Sequence, residues 1–103
     1  MSESQVVQSC IQWLLMKGCF IWRNNTGAHK TEAGHYVRFG LKGSPDIIGM
    51  TKRGQFVGVE AKYGKNTLSP EQQVFGAKSK EHNGIYIVAY STDDLEKNKE
   101  LFA

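Results

Sequence analysis

The sequence predicts one α/β domain spanning residues 1–103, and three observations predict it. Two helix-start signatures of the same kind, SESQ and SPEQ, stand near Ser2 and Ser69. Between them, two short apolar runs are joined by KRG, the pattern of a β-hairpin. After the second signature comes IYIVAY, whose unbroken apolarity fits a strand buried on both faces, as parallel strands are. A chain of 103 residues is long enough for one compact domain with one modest core.

The elements follow in order. Ser2 as N-cap with Gln5 three residues on forms a capping box, so a helix should run to about Lys17 and stop at Gly18. Its apolar positions (Val6, Val7, Cys10, Ile11, Trp13, Leu14, Leu15) wrap a broad face, which predicts a largely buried helix. CFIWR is a strand. Residues 24–44 are rich in glycine and polar residues and show little periodicity, so they read as a long loop with a short strand at Tyr36–Phe39. A loop of that length in so small a domain points to function or mobility. PDIIGM and QFVGVEA make the hairpin, with Gly54 suited to the left-handed position of a three-residue loop. Ser69 as N-cap, Pro70 at the first helical position and Gln72 at the third start a helix that should reach about Asn83 and stop at Gly84. STDDLEKNKELF makes a last helix capped near Thr92, with acids early and lysines late, as the helix dipole favours.

The hairpin has a chemical consequence. With Lys52-Arg53-Gly54 as the loop, Gly49 faces Val57, Ile47 faces Val59 and Asp46 faces Glu60. Asp46, Ile48, Met50, Phe56, Gly58, Glu60 and Lys62 then share one face, while Ile47, Val57, Val59 and Ala61 take the other and pack on the core. Two carboxylates directly opposite, with Cβ atoms roughly 5 Å apart, repel. A divalent cation between them removes the repulsion, and Mg²⁺ or Mn²⁺ suits carboxylate oxygens, water and a backbone carbonyl that Ala61 can supply. Lys62, on the same face, is suited to stabilise developing negative charge or to orient an attacking water. Together these groups fit phosphodiester hydrolysis. The competing expectation is structural: Pro45-Asp46 as an ordinary turn, and Glu60 and Lys62 as strand-end residues reaching for solvent. The loop length decides, because a two-residue turn would put the carboxylates on opposite faces.

Composition excludes several classes. At 40% apolar and 22% charged, the chain is not a disordered one. No apolar run approaches the roughly 20 residues of a membrane span, and MSESQ does not resemble the start of a secretory leader. Cys10 and Cys19 read as small buried hydrophobes of a reducing cytoplasm, and no Cys/His cluster has zinc spacing. Between Lys17 and Lys65 there are nine Lys/Arg and only three acids, Glu32, Asp46 and Glu60, whereas the stretch from Asn66 onwards is net acidic. A basic surface with a small acidic spot suits a phosphate backbone and a bridging metal, and it equally describes a solvated lysine-rich face.

Pro45-Asp46 followed by Glu60-x-Lys62 resembles the signature of the PD-(D/E)XK nucleases, and the blocks GSPDIIG, VEAK and SPEQ in that order resemble the VRR-NUC domain within that superfamily. The likeness runs from about Glu3 to Tyr90. It implies a restriction-endonuclease-like α-β-β-β-α-β core with a central mixed sheet flanked by helices. It implies Asp46 and Glu60 as metal ligands, Lys62 as the catalytic lysine and Gln72 as the site glutamine of the helix after it. It also implies an acid on the first helix, for which Glu3 is the candidate; the other role for Glu3 is to complement the helix dipole. Residues 24–44 depart from the family pattern.

From that resemblance follow the remaining expectations. Arg23, Lys30, Arg38, Lys42, Lys52, Arg53 and Lys65 become sequence-blind phosphate contacts, with His29 and His35 as further candidates and Tyr63 able to stack on a base. The expected activity is a Mg²⁺- or Mn²⁺-dependent endodeoxyribonuclease selective for branched or junction DNA, because so short a chain has little room for a sequence-reading module. Two cuts across a junction need two sites, hence a homodimer, in a bacterial or phage-infected cytoplasm. The alternatives are a DNA-binding module of the same fold that does not cut, and a sequence-specific or RNA-directed nuclease.

Overall fold

The computed structural model describes residues 2–103. Its elements, in chain order, are α1 (Glu3–Met16), β1 (Phe20–Arg23), β2 (Gly27–Lys30), β3 (Tyr36–Phe39), β4 (Ile47–Met50), β5 (Phe56–Ala61), α2 (Pro70–Glu81), β6 (Ile85–Ala89) and α3 (Thr92–Glu96), closed by a 3₁₀ turn at Lys99–Phe102. A four-stranded mixed sheet in the order β1-β4-β5-β6 forms the centre, antiparallel except for the β5–β6 pair. β2 and β3 form a separate two-stranded antiparallel ribbon.

Local chemistry explains the helix ends. Both capping boxes form: Ser2 with Gln5, and Ser69 with Gln72. At the end of α1, Gly18 takes the left-handed conformation (φ 80°) while Cys19 N donates to the Leu14 carbonyl at 3.1 Å and Gly18 N to that of Leu15 at 3.0 Å, a Schellman closure. At the end of α2 the left-handed residue is Asn83 (φ 65°), not Gly84, which already leads into β6. Asparagine tolerates that conformation, so the helix stops one residue earlier than the glycine suggests.

The core lies between one sheet face and α1 with α3. Ile47, Val57, Val59, Ala61, Ile85, Ile87 and Ala89 meet Val6, Val7, Cys10, Leu14 and Leu95 there, all buried. Cys10 and Cys19 are buried free thiols, and burial pushes the Cys10 thiol up to about 11. α2 covers β6 and part of β5 on the other face, where Phe75 bridges Phe56 and Tyr86 with ring centroids 6.1 and 6.2 Å away. The β1–β4 half of that face stays bare: Phe20, Trp22 and Met50 are 66, 45 and 38% exposed. No helix of the described residues is long and apolar enough to cross a membrane.

Three expectations need correction. α1 buries a single stripe rather than a broad face, since Leu15 and Met16 point outward, 54 and 87% exposed. The last helix is broken: α3 has five residues, Asn98 leaves helical geometry (φ −112°, ψ 20°) and its side chain donates to the Asp94 carbonyl at 2.8 Å. The break lets Phe102 turn inward, edge-on to Trp13 at 5.2 Å. Third, residues 24–44 are not a loop with one strand. Gly27–Lys30 pairs with Tyr36–Phe39 through a turn at Thr31–His35.

That turn shares three hydrogen bonds with the β4–β5 turn. In TEAGH, Thr31 N donates to the His35 carbonyl, Gly34 N to the Thr31 carbonyl and His35 N to the Thr31 hydroxyl; in TKRGQ, Thr51, Gly54 and Gln55 do the same. Gly34 and Gly54 both take positive φ, 86° and 83°. These are three-residue loops with the glycine in the left-handed place.

β1 approaches β4 closely at Gly49, where a Cβ would lie 2.1 Å from the Phe20 carbonyl oxygen and 2.6 Å from Ile21 Cα. Gly49→Ala should therefore push β1 off the sheet and lower stability by about 3 kcal/mol. In urea this reads as a lower midpoint with an unchanged slope.

Candidate active site

The β4–β5 register is the one the three-residue loop demands: Ile47 pairs with Val59, Ile48 with Gly58, Gly49 with Val57 and Met50 with Phe56. Continued by one residue, it brings Asp46 opposite Glu60 at the end of the hairpin away from its turn. Pro45, fully buried, holds the chain entering β4. Asp46 is anchored twice. Its Oδ2 accepts from Ala61 N at 2.8 Å, and its backbone carbonyl accepts from Asn24 N at 2.7 Å.

Glu60 is the most constrained charged group in the molecule. It is 3% exposed. Its Oε1 accepts from Gln72 Nε2 at 2.6 Å and lies 3.8 Å from Lys62 Nζ, while its Oε2 is buried with no hydrogen-bond partner. Gln72 thus does two jobs: its carbonyl oxygen caps α2 through Ser69 N at 2.9 Å, and its amide reaches across to β5. Burial, with the charge of Asp46 second, pushes the Glu60 carboxyl up to about 7, against the downward pull of Lys62 and of the Asp46 backbone N–H. Asp46 is also raised by burial, moderated by the Ala61 N–H, Lys62 and Arg23. Tyr86, beneath α2, is raised to about 12 by burial and then by the two carboxylates.

Asp46, Glu60, Lys62, Gln72 and the strand end at Ala61 therefore come together. Glu3, at the start of α1, is partly buried, and its charge adds the smallest of the upward pushes on Glu60. Among the described residues no three His, Cys, Asp or Glu side chains form a ready cage for a metal. What exists is a pair of carboxylates, one with an oxygen that nothing satisfies. That donor set fits a hard cation that keeps several waters, as Mg²⁺ and Mn²⁺ do, and not a zinc centre.

The basic residues divide. Arg23 ends β1 opposite Ile47, close enough to draw down Asp46. Lys65 is exposed in the turn after Lys62, beside the equally exposed Tyr63. Lys42 pairs with Glu71 at 3.1 Å. Lys30 and Arg38 lie on the β2–β3 ribbon, with the His29 ring tilted against Phe39 at 6.2 Å and His35 in its turn. Lys52 and Arg53 occupy the opposite hairpin end, about 20 Å from Asp46 at ~3.3 Å per residue. Sequence inspection missed Asn24. It bridges the sites of entry and exit of the ribbon by donating to Ser44 Oγ at 2.7 Å and to the Pro45 carbonyl at 3.0 Å. A polar residue inside a glycine-rich stretch carries no periodic signal, so nothing in the sequence marks it.

A surface hollow of about 450 Å³ lies elsewhere, beside β6 and lined by Gln55, Ile85, Ile87, Asp94 and Leu101. No protein-family model matches the chain, and no curated protein matches it.

A buried carboxyl raised from 4.5 to about 7 binds a proton in the folded state that the unfolded chain has released. Stability therefore falls as pH rises between those values, and the loss is complete above pH 7. In chelator, urea unfolding should show a decline of up to about 3 kcal/mol from pH 4.5 to 8, at 1.36 kcal/mol per pKa unit. Glu60→Gln should flatten that slope; a slope equal to the parent's would show that Glu60 does not titrate there.

Proposed function

We propose that this chain is a Mg²⁺- or Mn²⁺-dependent endodeoxyribonuclease of the PD-(D/E)XK superfamily, similar to VRR-NUC domains, that cuts branched or junction DNA as a homodimer in a bacterial or phage-infected cytoplasm. The observation that carries the proposal is the meeting of Asp46 and Glu60 on one rim of the sheet, with the Lys62 ammonium 3.8 Å from Glu60 Oε1 and Glu60 Oε2 left unsatisfied. An α-β-β-β-α-β order in the main sheet and its helices, once the ribbon is set aside, is in keeping with a restriction-endonuclease-like core.

Asp46, Glu60 and the Ala61 carbonyl would hold the cation. When bound, it supplies Lewis-acid polarisation of the scissile phosphate and neutralises the carboxylate pair. The chain's own residues do the rest. Gln72 locks one Glu60 oxygen and leaves the other free to ligate. The Ala61 N–H fixes the Asp46 rotamer. Lys62 is only slightly exposed, so its ammonium acts in a poorly solvated place, where it stabilises charge growing on the phosphoryl oxygens or holds the water that attacks. Arg23 adds positive charge beside Asp46. The bare aromatic half of the sheet, where the Phe20 and Trp22 rings lie tilted with centroids 5.4 Å apart, and the exposed Leu15 and Met16 give apolar surface for a second copy.

The test is a set of labelled junction, flap and linear duplex DNAs, each in Mg²⁺, in Mn²⁺ and in chelator, with Lys62→Ala and Asp46→Asn alongside. Metal-dependent cutting, preferring the junction and reduced about 10²–10³-fold or more in Lys62→Ala, is expected. Absence of cleavage of every substrate would leave the DNA-binding module, and cutting of linear duplex at one sequence would favour a sequence-specific enzyme. A second measurement is independent of turnover: Mn²⁺ should raise the melting temperature of the parent at pH 8, and Asp46→Asn should abolish that rise.

A further inference from the structure

The β2–β3 ribbon is the part of the fold with no structural explanation. All eight of its strand residues are exposed, and an isolated two-stranded ribbon is marginal on its own in water. It is nevertheless well rooted. Asn24, at its entry, donates to Asp46, Ser44 and Pro45, so the root of the ribbon is tied to the residue that carries the first carboxylate. The molecule is drawn out to 49 Å along its longest axis against 23 Å along its shortest.

Its two faces differ. By the pairing of Ala28 with Arg38 and Lys30 with Tyr36, one face carries Lys30, Arg38 and Tyr36, and Tyr36 is 76% exposed. The other carries His29, Val37 and Phe39. The ribbon's one acid, Glu32, is in the turn, outside the paired strands. At the root, Arg38 and Lys42 both line a hollow of about 220 Å³ with Thr26, Ala28 and Phe39.

We infer that the β2–β3 ribbon is a DNA-gripping arm that enters the major groove of a duplex flanking the cleavage point, with Lys30 and Arg38 on its phosphates. This rests on the nuclease reading for the word "cleavage" but not for the grip itself. The dimensions agree: paired strands lie about 4.8 Å apart, and a B-form major groove about 12 Å wide admits such a ribbon. The A-form major groove of duplex RNA is too deep and narrow for side chains to read. The grip therefore selects DNA, and rooting at Asn24 couples the gripped duplex to Asp46.

The test measures binding in chelator, where no cutting intervenes, to a junction with duplex DNA arms and to a duplex RNA of matching length. Lys30→Ala/Arg38→Ala is compared with the parent and with Lys80→Ala/Lys99→Ala, which removes the same charge elsewhere. The ribbon variant should bind the DNA on the order of tenfold more weakly near 0.1 M salt, with a log–log salt slope shallower by about two, and the control should not. The parent should shield guanine N7, a major-groove atom, from methylation, and the ribbon variant should lose that protection. Unchanged affinity and slope in the ribbon variant, or an equal loss on duplex RNA, would overturn the inference. Cleavage is scored separately with Mg²⁺ and Mn²⁺. A parent that shows the ribbon signature yet never cuts sinks the nuclease and keeps the arm; a ribbon variant that binds and cuts like the parent sinks the arm and keeps the nuclease.

Discussion

Two negative charges share one end of the β4–β5 hairpin, and the rest of the site is arranged around that repulsion. Asp46 and Glu60 come together because three residues, not two, turn the chain at Lys52–Gly54, with the Thr51 hydroxyl and Gly54 closing the turn. Everything else near the pair moderates it. Gln72 takes one oxygen of Glu60, the Ala61 N–H takes one of Asp46, and Lys62 stands close to both. One Glu60 oxygen is still buried without a hydrogen-bond partner, and burial, with the Asp46 charge second, pushes the Glu60 carboxyl up to about 7. A site built only for stability would have closed that gap, since a buried unsatisfied acceptor is unfavourable by about 1–3 kcal/mol.

The elements divide the work between holding and reaching. The inward face of the sheet, packed on α1 and α3, is apolar and tight, so β4 and β5 cannot slip relative to each other: a one-residue shift would turn Ile47, Val57 and Val59 outward. That rigidity is what gives a 3.8 Å Lys62–Glu60 distance chemical meaning. The other sheet face is only half covered, by α2, and the ribbon extends from its rim. The ribbon root lies beside the carboxylate pair, since Asn24 N donates to the Asp46 carbonyl.

Much of this was legible from local chemistry. Capping boxes, a Schellman glycine, the hairpin register and the doubly buried β6 are all decided by neighbours within a few residues, so the pattern of the chain reports them directly. The missed strand at Gly27–Lys30 was legible too, in retrospect. TEAGH is the same turn as TKRGQ, but its flanks, GAHK and YVRF, lack the apolar alternation that burial imposes, because neither face is buried.

By itself, then, the sequence determined the starts of α1 and α2, the register of β4 on β5 and hence the meeting of Asp46, Glu60 and Lys62, all through short-range sterics and hydrogen bonding. Only the tertiary structure decided what surrounds that meeting. It brought Gln72 across from α2, sent Lys52 and Arg53 to the far end of the hairpin, and tied the ribbon to Asp46 through Asn24. Those outcomes depend on how separate elements pack, and packing between residues distant along the chain leaves no periodic trace in the chain itself.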